Sequence, residues 1–414
     1  MAKNFLTIYE RTGDSIALNQ QFFAKLEAVK GTLIGPTDTD FFFTRSGGSI
    51  THTQPKNPSE HRSGRHNNDT LAEKKVTEWS IPTYVNIDTL LGAAATAEVD
   101  DAIRLLWKSL LGFEDTATSA VYDSSVDPDI TFSLFENGDK WAHQANGAAV
   151  EASTLSLPGD GQSGLEWSGR AADRKRVGIG RFTTSSDATN IITLDAATEA
   201  KRFPVGSMVM IIEDDGLVRS ADTPNGTYRV VTLSDSGTGA ITVDGAVLAD
   251  ADGTTGAGFF LAYAEPETPT AISDIQTGLV GSAAIVGLSA TCVRSATVTM
   301  TNNHEWVDYC FGTDALATPY FVPGSRLMVE VELEMNLNDA LIEFLDDLES
   351  FTSKDVDLVL GDSTGRHLKV DLPKVVFDVP SVTVPDEGSI PVSFSGIGLQ
   401  TALDAADEIT VSYL

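Results

Sequence analysis

The chain has 414 residues, 42% hydrophobic and 21% charged, which excludes a single small module, a collagen-like rod and wholesale disorder. Fifty-nine acids against 28 bases give a formal net charge of -31, distributed unevenly: residues 1–75 hold 10 bases and 8 acids, the remainder 18 bases and 51 acids. So acidic a body repels phosphate and anionic membrane, which excludes a groove that grips nucleic acid through its backbone.

The opening residues lack the apolar core of a signal peptide, and no run reaches the ~18 apolar residues of a membrane span, so synthesis in the cytosol is expected. Two cysteines, Cys292 and Cys310, are expected to be plain reduced core residues in such a chain.

In chain order, Leu18, Phe22, Leu26 and Val29 have helical spacing and are followed by Gly31. Residues 44–75 carry no strand or helix pattern for about twenty residues, but gather Arg45, Lys56, Arg62, Arg65, Lys74 and Lys75 with three of the six histidines. A long basic loop on an acidic body is complementary to another copy of that body, which makes it a candidate self-assembly arm.

Val76 to Tyr84 reads as a strand. Between Glu98 and Leu111, Ile103, Leu106, Trp107, Leu110 and Leu111 form an apolar helical stripe with acids in the first turn. Asp129 to Glu136, a turn at Asn137-Gly138 and Lys140 to His143 read as a hairpin. Arg174 to Ala264 is rich in Gly, Thr and Asp, with short strands that suggest a small barrel or sandwich, and Glu265 to Pro269 is a linker.

Further on, Val329, Leu333 and their alternates form one face of a strand, with Glu330, Glu332 and Glu334 on the other. Leu337, Leu341, Phe344, Leu345 and Leu348 make a second amphipathic helix. The stretch from Leu155 through Pro158 and Gly161 to Trp167-Ser168-Gly169 matches Val382 through Pro385 and Gly388 to Phe394-Ser395-Gly396, at a constant offset of 227 residues (396 minus 169). Strand, helix, hairpin and Ser-Gly strand recur in order, so the chain reads as two copies of one β-rich unit.

Catalytic motifs are weak. Gly361-Asp-Ser363-Thr-Gly365 fits a nucleophile elbow, but a strand follows where that motif needs a helix, and Gly178-Ile-Gly180 lacks the rest of a dinucleotide fingerprint. His61 and His66 sit among arginines, unsuited to a metal. No enzyme activity, metal or cofactor is expected.

The pattern resembles the major tail tube protein of long-tailed phages with non-contractile tails (siphophages). The resemblance rests on Phe22 to Thr32 with Pro36-Thr37 and Asp40, the polar loop, the 76–84 strand and the helix ending at Gly112. It continues through Pro323 to Arg326, Leu372-Pro373 and Asp386 to Pro391. It implies a mainly β fold of two tandem sandwich or barrel-like units, 1–172 and 266–414, each with one flanking helix. The block 173–265 becomes an inserted small β-barrel or sandwich that decorates the outer surface, and Phe22 to Ala28 becomes a strand, against its helical spacing.

The resemblance further implies a structural virion protein, made in the host cytoplasm, that polymerises into the tail tube. Two fused units per chain imply trimeric rings with pseudo-sixfold symmetry, and DNA is ejected through an acidic lumen without specific binding. Expected partners are other copies of the chain and the tape-measure, tail terminator and tail-tip proteins. The loop of about 44–75 would contact the adjacent ring through Arg45, His61, Arg62, Arg65, His66, Lys74 and Lys75. Val76, Glu78, Val329, Glu330, Glu332 and Glu334 would lie on inner-barrel strands. The rival reading is a surface adhesin or carbohydrate-binding β protein that uses the middle block.

Overall fold

The computed structural model describes residues 8–9, 20–58, 62–63, 66–67, 70–72, 75–87, 99–115, 120–124, 129–186, 189–212, 227–234, 239–245, 260–266, 269–271, 275–288, 293–307, 320–322, 327–361, 366–380, 382, 388–403 and 405–414. Its first half runs β1 (Gln21–Leu26), β2 (Ser49–Thr53), β3 (Val76–Tyr84), α1 (Asp101–Leu111), β4 (Phe132–Asn137), β5 (Ala142–Pro158), β6 (Gly164–Ala171) and β7 (Asp173–Val177). There follow β8 (Gly180–Ser186), β9 (Ile191–Leu194), β10 (Met208–Ile212), β11 (Thr227–Ser234), β12 (Ala240–Val243) and β13 (Phe260–Tyr263). The second half runs β14 (Gly281–Ile285), β15 (Val293–Asn302), β16 (Leu327–Asn336), α2 (Asp339–Glu349), β17 (Lys354–Gly361), β18 (His367–Phe377), β19 (Pro391–Gly398) and β20 (Thr410–Tyr413). The fold is mainly β, with antiparallel ladders throughout.

The two halves share the register of their ladders. In β3 and β6, Ile81 lies opposite Trp167 and Trp79 opposite Gly169; in β16 and β19, Leu333 lies opposite Phe394 and Val331 opposite Gly396. The β4–β5 ladder sets Phe132 on Ala148 and then slips to Leu134 on Ala145, while β17–β18 sets Lys354 on Val375 and slips to Val356 on Leu372. A bulge bends a strand locally, so the halves share an irregularity as well as an order. The Ser-Gly terminus recurs for a steric reason: a Cβ on Gly169 would lie 2.0 Å from the Ala149 carbonyl oxygen, and one on Gly396 2.6 Å from the Phe377 ring.

Each half is a two-layer sandwich sharing its longest strand. The order β2-β3-β6-β5 makes one layer and β1-β4-β5-β7 the other; β15-β16-β19-β18 and β14-β17-β18-β20 repeat them. Helix α1 buries Ile103, Leu106, Trp107 and Leu110, and α2 buries Leu341, Phe344 and Leu348. Trp107 meets Trp167 edge-on with ring centroids 4.8 Å apart, and Phe344 meets Phe394 edge-on at 6.1 Å. Each such side chain contributes ~1.5–3 kcal/mol by leaving water. Asn338 caps α2 by accepting the Leu341 N–H at 2.9 Å.

Strand β1 explains its misleading spacing. Phe22 and Ala24 face the sandwich core and Phe23 faces the other side, all buried, so the alternation that marks a half-exposed strand is missing.

Strands β8 to β13 close into a six-stranded barrel in the order β8-β9-β12-β11-β10-β13. The barrel starts at Gly180, later than the 173 read from sequence, because β7 pairs with β5 and belongs to the first sandwich. It docks on the outer face of β1 and β4: Phe23, Leu33, Phe41 and Phe135 pack with Met208 and Ala264. The buried Gln144 donates to the Met208 carbonyl at 2.7 Å and accepts its N–H at 2.8 Å, and Tyr263 donates to the Gly138 carbonyl at 2.8 Å.

Among the described residues no domain covers the second half in this way, and its residues differ accordingly. Phe135, Gln144 and Ala142 are replaced in the equivalent ladder by Asp357, Asp371 and Lys369, with the Lys369 ammonium 2.8 Å from Asp357 and 3.1 Å from Asp371.

Candidate assembly surface

The first layers of the two halves are one continuous sheet. Strand β5 pairs with β6 on one side and with β15 on the other, from Ala152 on Thr301 to Pro158 on Ser295, so the order is β2-β3-β6-β5-β15-β16-β19-β18. A two-residue period sends Trp167, Leu155, Val298, Val331 and Phe394 into the core. Their neighbours form the opposite face. One cross-strand row runs Glu166, Thr154, Thr299, Glu330, and a second runs Ser156, Thr297, Glu332, Ser395.

This face is mostly polar and acidic, with Met328 and Ile397 as exposed apolar exceptions. Glu78, Glu166, Glu330 and Glu332 are exposed on it and Glu334 is half-buried, against Arg170 opposite Glu78 and an Arg294 guanidinium 2.9 Å from Glu334. It lies on the layer away from the docked barrel.

The residues read from the 329–335 alternation sit as that alternation requires: Glu330 and Glu332 outside, Val329 buried on the core side. Val76 is half-buried at the start of β3 and Glu78 is exposed. Glu166 and the Ser and Thr positions went unread, although Thr297, Thr299 and Thr301 alternate with buried Val298 and Met300 just as the glutamates alternate with valine and leucine.

The basic loop is not structureless. Ser49–Thr53 pairs with β3, Lys56–Pro58 pairs with Thr70–Ala72, and Arg62–Ser63 pairs with His66–Asn67, so the segment is an edge strand followed by an extended hairpin arm. A ladder needs only backbone groups, and an arm polar on both sides has no apolar alternation to betray it. The second half has an arm at the same place, between β15 and β16, where Glu305–Val307 pairs with Tyr320–Val322.

Lys56 and Lys75 are exposed near the root of the first arm, and Arg62 and His66 belong to its inner paired strands. Arg45 is elsewhere: its N–H donates to the Pro82 carbonyl at 2.8 Å and its guanidinium stands 5.6 Å from the Tyr84 ring centroid, at the far end of β3. His61, Arg65, Lys74, Ser363, Cys292 and Cys310 lie outside the described residues.

A polar cluster unforeseen from sequence flanks β2. Glu136 accepts the Ile50 N–H at 3.0 Å, the Gln20 side-chain amide at 2.7 Å and lies 2.9 Å from His143 Nδ1, while Arg174 donates to the Ile50 carbonyl at 3.1 Å. Burial lowers the Arg174 guanidinium from its ordinary value.

No protein-family model matches the chain, and no curated protein matches it.

Proposed function

We propose that copies of this chain join side by side into rings that stack as a hollow tube, the tail tube of a long-tailed phage, through which DNA passes. The carrying observation is the β5–β15 ladder, which fuses two equivalent units into one sheet with one polar, acidic face. Three chains repeating that joint supply six units to a ring, and ring closure removes the sheet edges that would otherwise aggregate. The glutamate face then lines the lumen and repels the phosphate backbone, so DNA slides without sticking. The barrel decorates the outside, and the arms reach to the adjacent ring. In this reading the protein is structural and has no active site; tail tip, tape measure and terminator are its virion partners.

The deciding experiment is negative-stain microscopy of concentrated protein beside a mass measurement of the soluble form. Hollow tubes, or rings of threefold to pseudo-sixfold symmetry, are expected. A monodisperse monomer that never assembles, even beside its tail partners, would refute the reading.

A further inference from the structure

The joint between the two halves exists half-made at the other edge of the same sheet. In that joint Leu155 stands opposite Val298, Ser153 opposite Met300 and Ala152 opposite Thr301. The matched ladders make β2 the counterpart of β15, with Ile50 in the place of Val298, His52 of Met300 and Thr53 of Thr301. They make β18 the counterpart of β5, and the 227-residue sequence offset, carried past the end of β18 at Phe377, puts Val379 in the place of Ala152 and Val382 in that of Leu155. Among the described residues β2 has a ladder on one side only, to β3. Val379 and Val382 are 50% and 39% exposed, where Leu155 is fully buried.

The backbone of Ile50 is turned toward the missing strand. Its N–H and C=O both point away from β3, since Glu136 and Arg174 hold them. In an antiparallel ladder such a residue is ready for a hydrogen-bonded pair on its outer side. Val298 has the same place and faces Leu155. In the second half the position of Glu136 is taken by the buried Leu358, which leaves the equivalent backbone groups to the incoming strand.

We propose that the outer edge of β2 seats the segment of a second copy that follows β18 and carries Val379 and Val382, which pairs there as a strand with Val382 opposite Ile50, and that Glu136 and Arg174 plug this edge until that segment arrives. The inference rests on the self-assembly reading and gives it an edge, a register and a gate. An open strand edge pairs indiscriminately, and side-chain bonds to its backbone are a means of blunting it. Release is mild, because Glu136 keeps Gln20 and His143 as partners when Ile50 is taken over. Pro380 stands where Ser153 does and supplies only a carbonyl, so the new ladder is one bond shorter than its precedent.

The register is tested by cross-linking. Thr53 and Val379, both exposed, form a non-hydrogen-bonded pair in this register, with Cα atoms ~4.5 Å apart, within disulfide range. In a Cys292→Ser, Cys310→Ser background, the variant Thr53→Cys with Val379→Cys should give disulfide-linked dimers and trimers on oxidation. Thr51→Cys with Val379→Cys, displaced by two residues, should cross-link about tenfold less. Rings or tubes that form without the first cross-link overturn the register and leave the assembly reading standing; a chain that stays monomeric throughout overturns both.

The plug is tested with Glu136→Leu, the residue of the second half, which should lower the protein concentration needed for assembly by about tenfold, the worth of one hydrogen bond. Glu136→Gln keeps the shape and should give a smaller drop. An unchanged or raised threshold in both overturns the plug.

Discussion

The indole Nε1–H of Trp107 donates to the Tyr413 hydroxyl oxygen at 3.0 Å, a buried bond between the helix of the first half and the last strand of the second. Tyr413 is packed edge-on against Tyr122, which stacks on Trp107, and burial raises the hydroxyls of both tyrosines well above their ordinary range. The halves are therefore cross-braced by polar atoms as well as by a shared sheet. Tyr413→Phe removes the acceptor and strands a buried N–H, at a cost of about 1–3 kcal/mol. Trp107→Phe should cost more, since it also empties volume against Trp167. The double variant should fall short of the sum, measured by denaturant unfolding followed through tryptophan fluorescence; strict additivity would deny the coupling.

Gln144 is the polar anchor of the barrel, whereas its counterpart Asp371 accepts from the Lys369 ammonium on its own strand. Gln144→Leu leaves the Met208 N–H and C=O without their partner, a loss of about 2–4 kcal/mol at the docking face. Faster hydrogen exchange in β10 is expected, with the barrel core itself still protected. Asp371→Gln, the mirror change on the uncovered half, should leave exchange there unaltered.

Much of this arrangement was legible in the residues, for reasons that differ by element. The two helices announce themselves because each buries one stripe, Ile103 to Leu110 and Leu341 to Leu348. The Glu330, Glu332, Glu334 alternation shows which face of β16 is wet because that strand has one wet face. β1 hides because Phe22 and Phe23 are buried on opposite sides, the second by a barrel whose docking no local pattern can reveal. The hairpin arm hides for the converse reason, being polar on both sides. The plug on Ile50 was unreadable: Glu136 and Arg174 meet it only through the closing of two layers, 86 and 124 residues away in sequence.

His304 follows β15, and burial pushes its imidazole down to about 4. The unfolded ring titrates near 6.5, so above that pH both states are neutral and this contribution is intact. As pH falls from 6.5 to 4 the unfolded chain takes the proton first and stability drops, by on the order of 2 kcal/mol after solvent screening of a partly exposed ring. Glu27 and Glu151, whose carboxyls burial raises, act in the opposite sense. The difference between wild type and His304→Gln isolates the ring: the variant should lose less stability between pH 6.5 and 4.5.

The arms of the two halves carry opposite charge. Residues 54–75 hold Lys56, Arg62, Arg65, Lys74 and Lys75 against Glu60, Asp69 and Glu73, whereas residues 303–326 hold Arg326 against Glu305, Asp308 and Asp314. Around a ring these would alternate in sign and steer the next ring into register. Reversing Arg62, Arg65, Lys74 and Lys75 to glutamate should lower tube yield at low and moderate salt while leaving single rings intact. Normal tube yield in the micrographs would remove the steering role.

The acidic face makes the sharpest demand. Glu330, Glu332 and Glu334 project from successive outward positions of β16, between Thr299, Thr297 and Ser295 on one side and Ile397, Ser395 and Ser393 on the other. None of the three forms part of the core, so Glu→Lys at all three leaves core packing intact, reverses the sign of the field and breaks the solvent-exposed Glu334–Arg294 pair, worth under about 1 kcal/mol. If this face lines the lumen, the triple variant should still assemble, since the ladders use backbone groups. Its tubes should retain DNA that wild-type tubes do not. Retention should weaken steeply with salt, because cations on phosphate act by releasing counterions. Binding of labelled DNA to purified tubes between 50 and 200 mM salt reads this out. Variant tubes as indifferent to DNA as wild type would place the face away from the channel.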